Sequence, residues 1–155
     1  MRSKERCWRI PLVACACVVA AYLFPLWMSP AGATVGEENH AEQFAQAVRD
    51  SDFPASEWWN VVSVARCESR GTFVPGIRGD LHLPGATDGL GSIGPMQING
   101  GNLYGRRVHP ALRSIEVDSS DAVAVVAWLS DVDNNLTAAH AIWSVSGWTE
   151  WTCAP

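Results

Sequence analysis

Glu68 is the residue whose surroundings best suit it to donate a proton. Seven, four and three positions before it stand the apolar residues Val61, Val64 and Ala65, so in a helix its carboxylate shares their face. Loss of hydration favours the protonated form of a carboxylate, and that form can give a proton to a leaving group. The alternative is a helix-terminal glutamate that points into solvent.

Two cysteines remain in the part of the chain after residue 33. Cys67 directly precedes Glu68, and Cys153 lies far along the chain. In an exported domain a pair of cysteines favours one disulfide, which over so long a loop contributes roughly 4–5 kcal/mol in the chain-entropy model. We expect this bridge to fasten the helix end that carries Glu68 to the segment around Cys153. The alternative is a pair of unpaired buried thiols.

The succession of residue types in residues 1–33 is that of an export signal. A basic start precedes the uncharged apolar stretch 10–28, and Ala31 and Ala33 follow at the spacing that suits a signal peptidase. A run of this length could also remain as an uncleaved membrane anchor. Both interpretations carry the rest of the chain out of the cytoplasm, to a secreted, periplasmic or cell-wall location. Contact with a membrane is then expected only through this segment.

The charge of the exported part excludes one class of partner. The whole chain has a net charge of −5, and without residues 1–33 it keeps seven basic and fifteen acidic side chains and no lysine. Nucleic-acid binding needs a basic face, so we expect no nucleic-acid partner. Anionic polymers would also be repelled, and affinity for a cell wall must therefore come from a specific groove.

Three motifs occur in a characteristic order. Cys67-Glu68-Ser69 ends the apolar helix, Gly94-Pro95-Met96-Gln97-Ile98-Asn99 follows a glycine-rich stretch, and the alanine-rich run 135–143 leads to Gly147-Trp148. Together they resemble the lysozyme-like superfamily, in particular transglycosylases with a soluble-lytic-transglycosylase domain. The resemblance spans residues 58–153.

This resemblance implies an α+β, mainly helical lysozyme-like fold, with a glycine-rich loop or short β-hairpin beside the active-site cleft. Residues 34–55 would form a polar segment and a short helix, and residues 56–155 the catalytic domain. The implied activity is cleavage of the β-1,4 bond between N-acetylmuramic acid and N-acetylglucosamine in peptidoglycan. Glu68 would act as acid and then base, giving 1,6-anhydro products. No cofactor or metal is implied, and a monomer is expected.

The same resemblance assigns further residues to the cleft. Trp143 stands where many family members have tyrosine. Apart from the resemblance, aromatic rings stack on the apolar faces of sugars, so either Trp148 or Trp151 is expected at the cleft rim. Trp58, Trp128 and Trp143 are expected to pack against the core. The residues expected to contact substrate are Ser92, Gly94, Met96, Gln97, Asn99, Trp143 and Trp148.

A second carboxylate would point to hydrolysis instead. Animal-type lysozymes have an aspartate at the position of Ser92, and its absence favours the mechanism with one glutamate. Asp80 and Asp88 lie in the glycine-rich stretch and could replace it, although both also suit turns beside glycine. A muramidase therefore remains an alternative, as does a catalytically weak cell-wall-binding module of a larger secretion or phage assembly.

Hydrophobic periodicity predicts the elements that must position these residues. Residues 34–40 are expected to be loose, with helices over 40–50 and from a cap at Ser56 to Glu68. Residues 71–95 are expected to be irregular or to include a short hairpin that ends in Met96 to Asn99. Later helices are predicted to start at Ser119 or Ser120 and at Asn134 or Asn135, the last ending at Gly147. The pattern Val123, Val125, Val126, Ala127 and Leu129 indicates burial on nearly every side.

Two stretches match known ligand-binding patterns but lack the sequence context that those sites need. We therefore predict no cofactor or metal from them. Gly89-x-Gly91-x-x-Gly94 fits a dinucleotide-binding pattern, but no strand precedes it and Pro95 follows where a helix should begin. Asp131-x-Asp133-x-Asn135 begins like a calcium loop but lacks the required glycine and the closing glutamate. The four histidines have no metal-binding spacing.

Overall fold

The computed structural model describes residues 35–81, 89–105 and 108–155, so the predicted export signal and Asp88 lie outside the described residues. The described chain forms an α+β structure, which confirms the predicted class. It has helices α1 (Val35–Asp50), α2 (Trp58–Glu68), α3 (Ala122–Ser130) and α4 (Val132–Ser146). Three short strands, β1 (Arg78–Gly79), β2 (Ser92–Ile93) and β3 (Ile98–Asn99), form one antiparallel sheet in that order.

Helix α1 begins earlier than the sequence suggested. Residues 35–40 were expected to be loose, but the helix starts at Val35. Phe44 and Val48, each 1% exposed, anchor the helix to the core. Glutamate, glutamine and alanine have good helix propensity, so the polar first turn simply extends this anchored helix.

Helix α2 carries the apolar face that the spacing predicted. Val61, Val64 and Ala65 are fully buried. The predicted cap at Ser56 is wrong, because a turn in which Glu57 N donates to Pro54 O delays the helix until Trp58. At the other end Gly71 N donates to Arg66 O, a helix-ending hydrogen bond that stops α2 just after Glu68.

Aspartates, rather than the predicted serines or asparagines, cap α3 and α4. Asp121 accepts from the backbone N–H groups of Val123 and Ala124, and Asp131 accepts from that of Asn134. Ser120 lies one position before this cap, and its hydroxyl donates to Asp118. That bond, with the one from the Ser120 backbone N–H, holds the pKa of the Asp118 carboxyl below its ordinary value.

The predicted burial of α3 on nearly every side is also wrong. Val125 and Leu129 are fully buried, whereas Val123 is 77% exposed and Ala127 is exposed as well. The helix packs one face against α4, so its apolar residues divide between core and surface. Gly147, with φ of 59°, ends α4 where the sequence predicted.

The sheet gives order to part of the glycine-rich stretch. Arg78 pairs with Ile93, and Ile93 pairs in turn with Ile98. The turn between β2 and β3 (94–97) requires glycine at its first position. Gly94 has φ of 74°, and a Cβ there would lie 2.5 Å from the Asn135 side chain.

One hydrophobic core connects all four helices with the sheet, and Trp58, Trp128 and Trp143 pack against it as expected. Among the residues that the structure describes, no helix is both long and apolar enough to cross a membrane.

Candidate active site

A groove of about 180 Å³ opens where the end of α2 faces the sheet. Its walls come from α2, the sheet, α4 and the segment after α4. The lining residues are Glu68, Asp80, Ser92, Gln97, Ile98, Asn99, Asn102, Ile142, Glu150, Trp151 and Thr152.

Glu68 is the last residue of α2 and is half-buried at the groove. Its Oε1 accepts a hydrogen bond of 3.0 Å from the backbone N–H of Cys153. Among the described residues Oε2 has no such donor. The carboxylate is therefore held through one oxygen, and its other oxygen is available to a ligand in the groove.

The residues around Glu68 fix the end of its helix. The side chain of Ser69, which is 1% exposed, accepts from the backbone N–H of Phe73 at 3.3 Å. Cys67 forms the expected disulfide with Cys153, closing a loop of 86 positions with a Cα–Cα distance of 6.0 Å. The prediction of this bridge is confirmed, and the alternative of two free thiols is wrong.

Asp80 lies in the same groove as Glu68. The Ser92 hydroxyl donates to its Oδ2 at 3.0 Å, which fixes the carboxylate beside β2. Asp80 has φ of 57°, a left-handed conformation that side chains rarely adopt. Aspartate tolerates this conformation better than most residues do, so Asp80 also suits the turn that follows β1.

Gln97 is the second groove residue with a left-handed backbone, with φ of 48°. Its Nε2 donates to Gly94 O at 2.8 Å. Its Oε1 lies so close to Gly79 that a Cβ there would approach it to 2.2 Å. The side chain is therefore held across β1, and Asn99 lines the groove from β3.

Asn135 organises the groove from behind, a role that the sequence did not predict. It is fully buried, and its Oδ1 accepts from Met96 N at 3.0 Å. Its Nδ2 donates to Ile93 O and Leu129 O. One side chain thus joins α3, α4 and the turn that presents Gln97. In the sequence Asn135 stands at the start of the alanine-rich motif and is a candidate helix cap, and neither signal indicates a buried position.

The tryptophan that lines the groove is Trp151, whereas Trp143 and Trp148 were expected to contact substrate. Trp151 lines the groove, is 7% exposed and donates through Nε1 to Met96 O at 2.9 Å. Trp148 instead stacks on Phe53 with ring centroids 5.9 Å apart, and Trp143 contacts the same phenylalanine. Neither Trp143 nor Trp148 is among the groove-lining residues.

Gly94 and Met96 also lie behind the groove, whereas Ser92, Gln97 and Asn99 line it. Met96 is fully buried, and only its backbone reaches the groove-facing elements, through Trp151. Within the turn, Gly94 and Met96 therefore support the groove from behind, and Gln97 lines it.

The groove is acidic and rich in neutral polar groups. Its described lining includes three carboxylates, those of Glu68, Asp80 and Glu150, and no lysine, arginine or histidine. A phosphate or carboxylate ligand would be repelled there. Over the described ranges, no group of three or more histidine, cysteine or acidic side chains is arranged to hold a metal ion.

Comparison of the chain with protein-family models, with curated proteins and with solved structures finds no match to any of them.

Proposed function

We propose that this protein cleaves the glycan strands of peptidoglycan by lytic transglycosylation, with Glu68 as catalytic acid and base. The observation that carries the proposal is the position of Glu68 at the end of an apolar helix, facing a groove whose described lining includes no cationic side chain. Amide and hydroxyl side chains of Ser92, Gln97 and Asn99 suit the hydroxyl and acetamido groups of uncharged sugars. The small exposed part of Trp151 lines the groove and can contact a sugar.

In the proposed reaction Glu68 first protonates the oxygen between N-acetylmuramic acid C1 and N-acetylglucosamine C4. The C1–O bond breaks, and the glucosamine part leaves with a free 4-hydroxyl. The Glu68 carboxylate then takes the proton of the muramic acid 6-hydroxyl as that oxygen bonds to C1. A 1,6-anhydro ring closes, no water is consumed, and Glu68 is again protonated for the next cycle.

The proposal places this reaction outside the cytoplasm, in a monomer that needs no cofactor. The Cys67–Cys153 disulfide supports that location, because such bonds persist in oxidising compartments. The acidic groove supports recognition of glycan rather than of anionic wall polymers.

Mass spectrometry of the products tests the proposal. Purified protein incubated with peptidoglycan sacculi should release muropeptides one water lighter than hydrolysed ones, and the same sacculi without protein provide the background. Products that carry the added water would show that the bond is hydrolysed and would contradict transglycosylation. No released muropeptide at all would contradict an enzymatic role.

Asp80 favours a second candidate, a muramidase that hydrolyses the same bond. Its carboxylate lines the groove with Glu68 and is oriented by the Ser92 hydroxyl, as a base for an attacking water must be. Transglycosylation remains our first choice because Ser92 replaces the aspartate found in animal-type lysozymes.

The variant Asp80→Asn separates these two candidates. We expect the rate of anhydro-product release to stay within about tenfold of the wild type, since general base catalysis by Asp80, worth about 10²–10⁴-fold, is not required. Asparagine also tolerates the left-handed backbone and can accept from Ser92, so the groove should keep its shape. A loss of 10²-fold or more, measured on the same sacculi, would assign Asp80 to catalysis. The exposed Asp52→Asn serves as the matched control.

A further inference from the structure

Segment 148–153 forms one wall of the groove and reaches back to Glu68. Three of its residues, Glu150, Trp151 and Thr152, line the groove. The same segment carries Cys153, whose backbone N–H donates to Glu68. The position of this segment therefore affects both the shape of the groove and the orientation of its central carboxylate.

Two indole hydrogen bonds hold the first part of the segment independently of the disulfide. Trp148 Nε1 donates to Glu57 Oε2 at 3.0 Å, and Trp151 Nε1 donates to Met96 O at 2.9 Å. Trp151 is also buried, and its ring lies 5.4 Å from that of Trp148. These contacts do not involve either cysteine.

Cys153 is held in a different way. After Trp151, the described residues show two bonds that hold the segment to the rest of the domain: the disulfide to Cys67 and the hydrogen bond to Glu68 Oε1. Cys67 and Glu68 are neighbours at the end of α2, so the disulfide brings the Cys153 N–H to the carboxylate. Cys67 is exposed, and a reductant in solution can reach the bridge.

We infer that the Cys67–Cys153 bridge is a positioning element for Glu68, and that its reduction lowers turnover while the fold is retained. The inference rests on the proposed function of Glu68. A dithiol supplies two electrons and is oxidised to its own disulfide, while the S–S bond breaks and each cysteine gains a proton. Cys153 then leaves Glu68, which loses its one hydrogen-bond donor among the described residues, while Trp148 and Trp151 keep the groove wall in place.

The expected effect is a loss of turnover rather than of binding. Catalytic groups must be held within about 0.5 Å of their working position, and a displacement of about 1 Å can cost 10²-fold. We expect dithiothreitol to lower kcat by about 10- to 100-fold and to change KM less than about threefold. Removal of dithiothreitol and reoxidation should restore kcat.

Steady-state kinetics on soluble glycan strands, with near-ultraviolet circular dichroism at the same temperature, test this effect. The double variant Cys67→Ser/Cys153→Ser should match the reduced wild type and should not respond to dithiothreitol. An unchanged kcat after complete reduction would overturn the inference. Loss of the near-ultraviolet signal on reduction would overturn it too, because the bridge would then be only a global stabiliser.

Nuclear magnetic resonance tests the coupling without any activity. In protein with ¹⁵N-labelled cysteine, Glu68→Gln should shift the Cys153 amide resonance of the oxidised form and leave that of the reduced form unchanged. The indole resonances of Trp148 and Trp151 should keep their dispersion in both forms. If Glu68→Gln leaves the Cys153 amide resonance of the oxidised form unshifted, the inference is overturned. If oxidised wild type cleaves no glycan, the proposed function fails, while this measurement still decides the coupling.

Discussion

Glu68→Gln should abolish glycan cleavage and leave the protein folded. In the proposed reaction the same side chain acts as acid and as base, and each role contributes about 10²–10⁴-fold. We therefore expect release of muropeptides to fall by at least about 10³-fold. Glutamine keeps an oxygen that can accept from the Cys153 N–H, so the free energy of unfolding should change by less than about 1 kcal/mol.

The measurement is muropeptide release by mass spectrometry, paired with thermal unfolding of each variant. Glu116→Gln is a matched control, since Glu116 is exposed and lies outside the groove. Glu116→Gln should behave as the wild type in both assays. Full activity in folded Glu68→Gln would remove Glu68 from catalysis and with it the proposed function.

Asn135→Leu should destabilise the protein more than any other change considered. Leucine has the same branched arrangement of heavy atoms as asparagine, but its methyl groups are bulkier and offer no hydrogen bond. Met96 N and the carbonyls of Ile93 and Leu129 therefore lose a buried partner. Each unsatisfied buried group costs about 1–3 kcal/mol, and we expect a total loss of about 3–5 kcal/mol. The turn 94–97 should also loosen, which would weaken the proposed contact between Gln97 and glycan.

Denaturant unfolding measures this loss, and Asn134→Leu provides the neighbouring control. Asn134 lies next to Asn135 on α4, but its side chain has none of these three bonds. We expect Asn134→Leu to change the free energy of unfolding by less than about 1 kcal/mol. A similarly small change in Asn135→Leu would show that the buried amide does not hold the turn.

Hydrophobic spacing predicted the helix that carries Glu68 because its signal is local. Val61, Val64 and Ala65 recur on one face of α2, and the structure buries all three. The disulfide could be predicted equally well from the sequence, since only two cysteines remain after residue 33. In both cases the residue types alone restrict the possibilities to very few.

Helix caps were harder to place because several neighbouring residues share the required chemistry. Serine, asparagine and aspartate all accept from free backbone N–H groups at a helix start. In the run 118–121 the hydroxyl of Ser120 donates to Asp118, whereas the carboxylate of Asp121 accepts from the first backbone N–H groups of α3. Which residue caps the helix depends on these local competitors and on how the helix packs against α4.

The groove itself was only partly predictable, because its residues meet through tertiary structure. Asn135 looked like a cap but fills a buried position between α3 and the turn 94–97. Trp148 and Trp151 could not be distinguished by type, since both are tryptophans in the same segment. Their positions differ because Trp148 stacks on Phe53 and donates to Glu57, whereas Trp151 donates to Met96 O.

The indole rings of Trp143, Trp148 and Trp151 also have an optical consequence. Their centroids are separated by 6.2 Å and 5.4 Å along the series, distances over which excitation energy passes readily between indoles. Of the three rings, Trp151 lines the groove. In the proposed complex, a sugar against Trp151 would change the surroundings of one ring in this series. The intrinsic fluorescence of the protein should therefore report occupation of the groove without an added label.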